Sequence, residues 1–154
     1  MAKVIEIEEN KTLKLNKVMF RELKQKDDSE IQKALHMLIS FVKSKKLTPY
    51  GPAIIHSRTV FENMQPIQVT RIMVQLKESP QSVDSPYSFK ELMRAENCIL
   101  ARYRGDAAGL QIAYWKIHVY AFENDIALKD DMYTVYVGET QSGISADVFV
   151  ETVK

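Results

Sequence analysis

The side chains best suited to binding an organic molecule are concentrated in residues 107–124, a segment that contains Tyr114, Trp115, Tyr120 and Phe122. A surface helix needs only one apolar stripe to pack on its own protein. The apolar residues here fall at helical spacing in two stripes, Leu110, Ala113, Tyr114, Ile117 and Ala121 in one and Ile112, Trp115, Val119, Phe122 and Ile126 in the other. The second stripe therefore indicates a second contact, either an apolar ligand pocket or an interface with another helix or another copy of the chain.

Few other residues have the types and spacing that catalysis or metal binding requires. His36, His56 and His118 are 20 and 62 residues apart, whereas a metal site needs at least three converging ligands. Cys98 begins a predicted strand with no evident histidine base beside it, so we interpret it as a small buried hydrophobe. We therefore predict no catalytic residue and no metal site, and we expect a protein that is not an enzyme.

Phosphate and nucleic-acid binding are also disfavoured. The chain has five glycines and neither a GxxxxGK[ST] nor a GxGxxG motif, so no nucleotide cofactor is expected. The basic run at residues 43–46 is interpreted as the last turn of a helix, where cations interact favourably with the helix dipole. We expect no direct contact with nucleic acid or with a membrane.

Length and composition indicate an ordinary globular protein. The chain has 154 residues, of which 45% are hydrophobic and 27% charged, and this balance is typical of one domain or of two small modules that share a core. A single cysteine excludes an intramolecular disulfide and fits a reducing compartment. No apolar run approaches the ~18 residues of a membrane span, and the charged N-terminus does not resemble a signal peptide. The cytoplasm is the expected location.

Charge is divided unequally along the chain although the net charge is only +1. Residues 1–77 hold 14 Lys and Arg against 8 Asp and Glu, a net charge of +6, while residues 78–154 hold 7 against 12, a net charge of −5. The division indicates either two solvated surfaces of different sign or electrostatic complementarity between the halves or between subunits in a head-to-tail contact.

The chain reads as two similar series of elements. The first has an extended segment at 12–23 with a bend or bulge, a helix at 29–46 that begins with Asp27-Asp28-Ser29, and strands at 53–61 and 67–76. A short strand at 4–8 and a turn at Asn10-Lys11 are expected before it. The second follows a linker at 78–97 that contains a short helix opened by Ser88-Phe89-Lys90-Glu91 and running to Ala95. Its elements are a strand at 98–104, a helix at 107–124, and strands at 132–139 and 144–153.

Corresponding elements of the two series begin 78–80 residues apart, which indicates an internal duplication. The predicted fold class is α+β, with a tandem pseudo-twofold strand-helix-strand-strand repeat and an antiparallel sheet that carries two long helices on one side. We expect a single domain, with repeat one at about 12–77, a linker at 78–97 and repeat two at about 98–153.

The second half resembles a known family. Its segment Ala101-Arg-Tyr-Arg-Gly-Asp-Ala-Ala-Gly-Leu-Gln-Ile-Ala-Tyr-Trp115 is similar to the signature segment of GyrI-like domains, which are also the effector-binding domains of multidrug-responsive bacterial transcription activators. Glu123-Asn124-Asp125 at the helix end, Tyr136 in the next strand and Asp147-Val148-Phe149-Val150-Glu151 in the last strand continue the likeness. The first half is similar through its helix and through Gly51-Pro52. The resemblance covers roughly residues 12–153.

This resemblance implies a cleft between the repeats that takes a small hydrophobic or amphipathic molecule, in a standalone form without a DNA-reading domain. The ligand-binding residues that it implies are Tyr103, Trp115, Val119, Thr134 and Tyr136. Two other interpretations stay open. The same apolar surface would serve a protein partner or a homodimer, or the pocket would position water in a weak hydrolase.

Thr134 departs from the family pattern. Many multidrug-binding relatives place a glutamate two positions before the strand tyrosine, and alignment on Tyr136 puts Thr134 there. A threonine hydroxyl forms hydrogen bonds but does not neutralise a cation. Selectivity for lipophilic cations is therefore not expected unless another acid, such as Glu139, substitutes.

Overall fold

In the computed structural model of the chain, residues 5–141 and 143–153 are described, except for the side chain of Thr140. Val4, where a first strand was expected to begin, lies outside the described residues. The elements are β1 (Ile5–Lys24), α1 (Asp28–Ser44), β2 (Ile54–Glu62), β3 (Gln65–Gln75), β4 (Ser88–Gly105), α2 (Leu110–Glu123), β5 (Leu128–Thr140) and β6 (Gly143–Thr152). A 3-10 turn, Ala107–Gly109, precedes α2.

The predicted α+β class is confirmed. The described residues form six strands and two long helices in the order strand, helix, strand, strand, twice over. β3 pairs antiparallel with both β1 and β2, and β6 pairs antiparallel with both β4 and β5. The contact pattern divides the chain into two compact units, residues 14–93 and residues 1–13 with 94–154.

In the unit of residues 14–93, α1 begins where the sequence predicts. Asp27 Oδ1 accepts a hydrogen bond from the Glu30 backbone N–H at 2.8 Å, and Glu30 Oε1 accepts one from the Asp27 N–H at 3.4 Å. This reciprocal capping box satisfies two of the amides that a helix start leaves unpaired. Ala34, Leu38 and Val42 then bury one side of α1. They pack on Met19 and Leu23 of β1 and on Ile72 and Val74 of β3.

The other unit repeats this plan with α2. Ala113, Ile117 and Ala121 form its buried side. They pack on a sheet face whose buried residues are Ile99, Ala101, Tyr103, Val148 and Val150. The small side chains of Ala113 and Ala121 let the helix approach the sheet closely, while Ile117 fills the centre of the contact.

Two local predictions are wrong. Residues 88–95 are the beginning of β4 and not a short helix. Glu91, which a capping box at Ser88 requires, instead accepts a hydrogen bond from Ser79 Oγ, and Phe89 packs on the core of its unit. Tertiary contacts therefore override the local helix signal.

The expected turn at Asn10-Lys11 is also absent, because β1 runs unbroken through both residues. Asn10 and Lys17 have positive φ, 57° and 50°, which is an uncommon geometry for residues other than glycine. Both residues mark local departures from regular strand geometry, and Lys17 lies within residues 12–23, where a bend or bulge was predicted.

Candidate functional site

The outer side of α2 presents the second apolar stripe to solvent. Ile112 is 39% exposed, Trp115 58%, Val119 57% and Phe122 86%. Ile126, the last residue of the predicted stripe, instead packs on the core. The helix thus has two apolar sides, as the sequence predicts, and only the first is used to pack on its own sheet.

The strand register places the three other predicted site residues on a common face. Tyr103 of β4 and Tyr136 of β5 both lie opposite Ala146 of β6, and Thr134 lies opposite Val148. Because successive side chains of a strand alternate between the two faces of a sheet, all three share the face of Val148. This is the face on which α2 packs.

Burial differs among these three residues. Tyr103 is fully buried, and its hydroxyl donates a hydrogen bond to the Asp106 backbone oxygen at 2.5 Å, just before the turn that leads into α2. Thr134 is 5% exposed. Tyr136 is partly exposed. The Tyr103 hydroxyl therefore already has a hydrogen-bond partner in the segment that leads into α2.

The five predicted residues consequently form two groups, with α2 between them. Trp115 and Val119 are one helical turn apart on the outer side, about 160–200° around the axis from Ile117 on the inner side. Tyr103, Thr134 and Tyr136 lie on the sheet face that α2 packs on. The structure brings the members of each group together and separates the two groups.

Two other tyrosines, Tyr114 and Tyr120 of α2, have a raised pKa. Burial, followed by the negative charge of Asp130, raises the pKa of Tyr114, whose ring meets His118 edge-on at a centroid distance of 4.4 Å. Tyr120 donates a hydrogen bond from its hydroxyl to Glu9, and this bond is the largest cause of its raised pKa. Loss of the hydroxyl proton is therefore less favourable for both residues than for a free tyrosine.

Cys98 does not have the environment of a nucleophile. Its side chain is fully buried. Burial, with a smaller contribution from the negative charge of Glu151, raises the pKa of the thiol to about 12. The thiolate, which is the reactive form, is therefore scarce at neutral pH.

The histidines are dispersed. His36 lies exposed on α1, His56 is buried in β2, and His118 is exposed on α2. Within residues 5–141 and 143–153, no three His, Cys, Asp or Glu side chains are arranged to hold a metal ion. No helix among these residues has the length and hydropathy needed to cross a membrane.

A groove on α1 was not predicted from the sequence. Its volume is about 530 Å³, and its lining consists of Lys33, His36, Met37, Ser40, Phe41, Ser44 and Tyr87. The floor is formed by Phe41 and Tyr87, whose rings stack at 4.4 Å between centroids and 26° between planes. Tyr87 comes from the segment between β3 and β4, so a helical pattern in α1 alone could not reveal this contact.

Comparison with known proteins identifies the fold. No protein-family model matches the chain, and no curated protein matches its sequence. The crystal structure of the EcmrR C-terminal domain superposes with a TM-score of 0.71 at 12% identity, covering 100% of this chain and 99% of that domain. In the EcmrR–DNA complex the TM-score is 0.68 at 12% identity, and this chain spans 58% of the length of that protein.

Two further structures share the fold. A hydrolase encoded by lin2189 from Listeria innocua has a TM-score of 0.61 at 13% identity, covering 97% of this chain and 91% of that one. SAV2435 bound to tetraphenylphosphonium has a TM-score of 0.54 at 7% identity, covering 99% and 94%. The fold that the GyrI-like resemblance implies is therefore confirmed.

Proposed function

We propose that this chain binds a small hydrophobic or amphipathic molecule and is not an enzyme. The observation that carries the proposal is the exposure of Trp115 and Val119, at 58% and 57%, on a helix whose other side already supplies the core contact. Large apolar side chains left outside a core favour a binding role. The shared fold with the EcmrR C-terminal domain and with SAV2435 bound to tetraphenylphosphonium adds support.

In this proposal the five site residues have different parts. Trp115 and Val119 make the first apolar contact, with the indole stacking on an aromatic ligand. Tyr103, Thr134 and Tyr136 form an inner row on the sheet face that α2 packs on, and a ligand reaches the two buried members, Tyr103 and Thr134, only if neighbouring side chains move. Tyr136 is the most accessible of the three, because it is partly exposed while Tyr103 and Thr134 are buried.

The charge of the ligand follows from Thr134. The residue is buried and neutral, so this position supplies no carboxylate to pair with a cation. The expected ligand is therefore selected by apolar area and by hydrogen bonding, with no preference for a positive charge.

Calorimetric titration with tetraphenylphosphonium and with the uncharged triphenylphosphine oxide tests the proposal. The two ligands should bind with similar affinity. Trp115→Ala should weaken both about tenfold, the equivalent of about 1.4 kcal/mol, because the aromatic contact is lost. Phe61→Ala is the matched control, since Phe61 is 73% exposed on β2 and belongs to the other unit.

Two outcomes would contradict the proposal. Binding by Trp115→Ala that equals binding by the wild type would remove α2 from the site. An effect of Phe61→Ala equal to that of Trp115→Ala would indicate non-specific adsorption. Thr134→Val, which removes the hydroxyl and keeps the shape, tests the inner row. Weaker binding by this variant would support its engagement, and unchanged binding would restrict the site to the outer side of α2.

A second candidate function is self-association through the same helix. Ile112, Trp115, Val119 and Phe122 are spaced three, four and three residues apart, which is the spacing of the a and d positions of a heptad. This spacing is the same in both directions, so two copies of α2 can face each other antiparallel.

A further inference from the structure

The groove on α1 combines an aromatic floor with an apolar wall. Phe41 and Tyr87 stack with each other and are both partly buried, while Met37 on the adjacent turn is 50% exposed. The groove is shallow and open, because five of its seven lining residues are exposed. The groove can therefore accept a planar aromatic group laid along the helix.

The segment that supplies Tyr87 is fixed to α1 at a second point. Lys45 Nζ lies 3.0 Å from Asp84 Oδ2 and also 5.6 Å from the centroid of the Phe41 ring. An exposed ion pair of this kind contributes little stability. Together with the ring stack, it holds the Tyr87 ring against the Phe41 ring. The aromatic floor is thus formed before any ligand arrives.

The charge around the groove is positive. The residues that line it include Lys33 and His36 and no carboxylate. Among the described residues, Lys33 forms no ion pair, and the nearest acid on the preceding turn, Glu30, is paired with Lys26 at 3.6 Å. Ser40, one turn along from His36 and two turns along from Lys33, adds a hydroxyl that can donate a hydrogen bond.

We propose that this groove binds a small aromatic carboxylate. The ring system lies on Tyr87 and against Met37, and the carboxylate faces Lys33. The unpaired ammonium favours a negative charge, and the aromatic floor favours a flat apolar body. This site belongs to the unit of residues 14–93 and is separate from the binding proposed on α2.

Three naphthalenes that differ only in charge test the proposal on the full chain by calorimetric titration. They are naphthalene-1-acetate, the neutral 2-(1-naphthyl)ethanol and the cationic 2-(1-naphthyl)ethylammonium. The anion should bind at least threefold more tightly than the alcohol, and the cation most weakly. The preference should decrease between 0.05 and 0.5 M salt, because Lys33 is exposed and its charge is screened. Equal affinity for the three compounds would overturn the proposal.

Variants locate the site. Lys33→Gln should abolish the preference for the anion, whereas Lys116→Gln, a control on the exposed surface of α2, should preserve it. Tyr87→Ala should weaken the binding of all three compounds. Met37→Glu, at a half-exposed position where folding is not at risk, should reverse the preference toward the cation. A preference that survives in both Lys33→Gln and Met37→Glu would exclude the groove.

One further variant separates this site from the proposed function. Trp115→Ala should leave naphthalene-1-acetate binding unchanged, because Trp115 lies on α2 in the other unit. Loss of naphthalene-1-acetate binding in this variant would assign the compound to α2 and overturn the groove proposal. Failure of tetraphenylphosphonium to bind would contradict only the function proposed for α2.

Discussion

Burial changes the chemistry of Cys98 most clearly of all the side chains described. The pKa of its thiol is raised to about 12, against about 8.5 in an unfolded chain. At pH 8 roughly one native molecule in 10⁴ therefore carries the thiolate. We expect the folded protein not to react with a thiol-specific disulfide reagent at pH 8, and to react with one equivalent once denaturant unfolds it. Rapid labelling of the native protein would contradict the assignment.

The same shift predicts a dependence of stability on pH. A raised acid pKa means that the unfolded chain releases its proton first, so above about pH 8.5 the unfolded state binds fewer protons than the native state. The free energy of unfolding should therefore decrease as the pH rises from about 9 toward 12. Cys98→Ala should show a smaller decrease over this range in urea titrations. An identical decrease in both proteins would assign the effect to other groups.

Individual residues were predictable where their function depends on sequence neighbours. The helix start at Asp27-Asp28-Ser29 was predictable because the two residues that form its cap, Asp27 and Glu30, are only three positions apart. The bond between Tyr120 and Glu9 joins residues 111 positions apart, and no local pattern reports it. Tyr103 and Thr134 were recognisable as residues of interest, but their burial depends on packing between elements that are distant in sequence.

At the scale of elements, the turn between β5 and β6 depends on Gly143. Its φ is +144°, and a Cβ added there would lie 2.8 Å from the Gly105 carbonyl carbon. We expect Gly143→Ala to lower the free energy of unfolding by about 1–3 kcal/mol, through steric overlap and backbone strain. The measurement is urea unfolding followed by circular dichroism.

Gly138 provides the matched control in the same hairpin. A Cβ added there meets nothing within 4 Å, so Gly138→Ala should change stability by less than about 1 kcal/mol. Equal losses in the two variants would mean that chain entropy or strand propensity, and not contact with Gly105, determines the effect.

Elements with strong periodicity were predicted well, and those that depend on distant contacts were not. Both helices and the last two strands of each series lie close to their predicted bounds, because one buried side repeats along each of them. The beginning of β4 was missed because Ser88 and Glu91 match a helix start. The bond between Glu91 and Ser79 and the packing of Phe89 favour the strand instead.

For the whole molecule, the repeated order of elements was visible in the sequence as a constant offset. In the structure β3 and β6 begin 78 residues apart, as predicted, whereas β2 and β5 begin 74 residues apart and α1 and α2 begin 82 apart. The charge division is also fixed by the sequence, but it does not specify which surfaces meet. The order of elements was predictable, but the use of the exposed apolar stripe on α2 was not. A pattern of residue types identifies such a stripe, whereas only the shape of the surface shows whether a pocket or a partner covers it.

The outer apolar side of α2 should also support self-association of the chain. In an antiparallel pair, Ile112 of one copy would meet Phe122 of the other, and Trp115 would meet Val119. The exposed parts of these side chains amount to on the order of 500 Å² in each copy, less than the ~800 Å² per partner of a standard interface. We therefore expect a weak dimer, detectable by sedimentation velocity at high protein concentration, that persists in 1 M salt because apolar burial stabilises it.

Phe122→Glu should shift that equilibrium to the monomer, since it places a carboxylate against Ile112 of the other copy at each end of the apolar contact. Phe61→Glu is the control, because Phe61 is also largely exposed, at 73%, and lies outside α2. Dissociation by salt, with Phe122→Glu still dimeric, would instead favour contact between the oppositely charged halves. A wild-type chain that is monomeric at every concentration would leave Trp115 and Val119 accessible to a ligand, and the small-molecule interpretation of this surface would then be favoured.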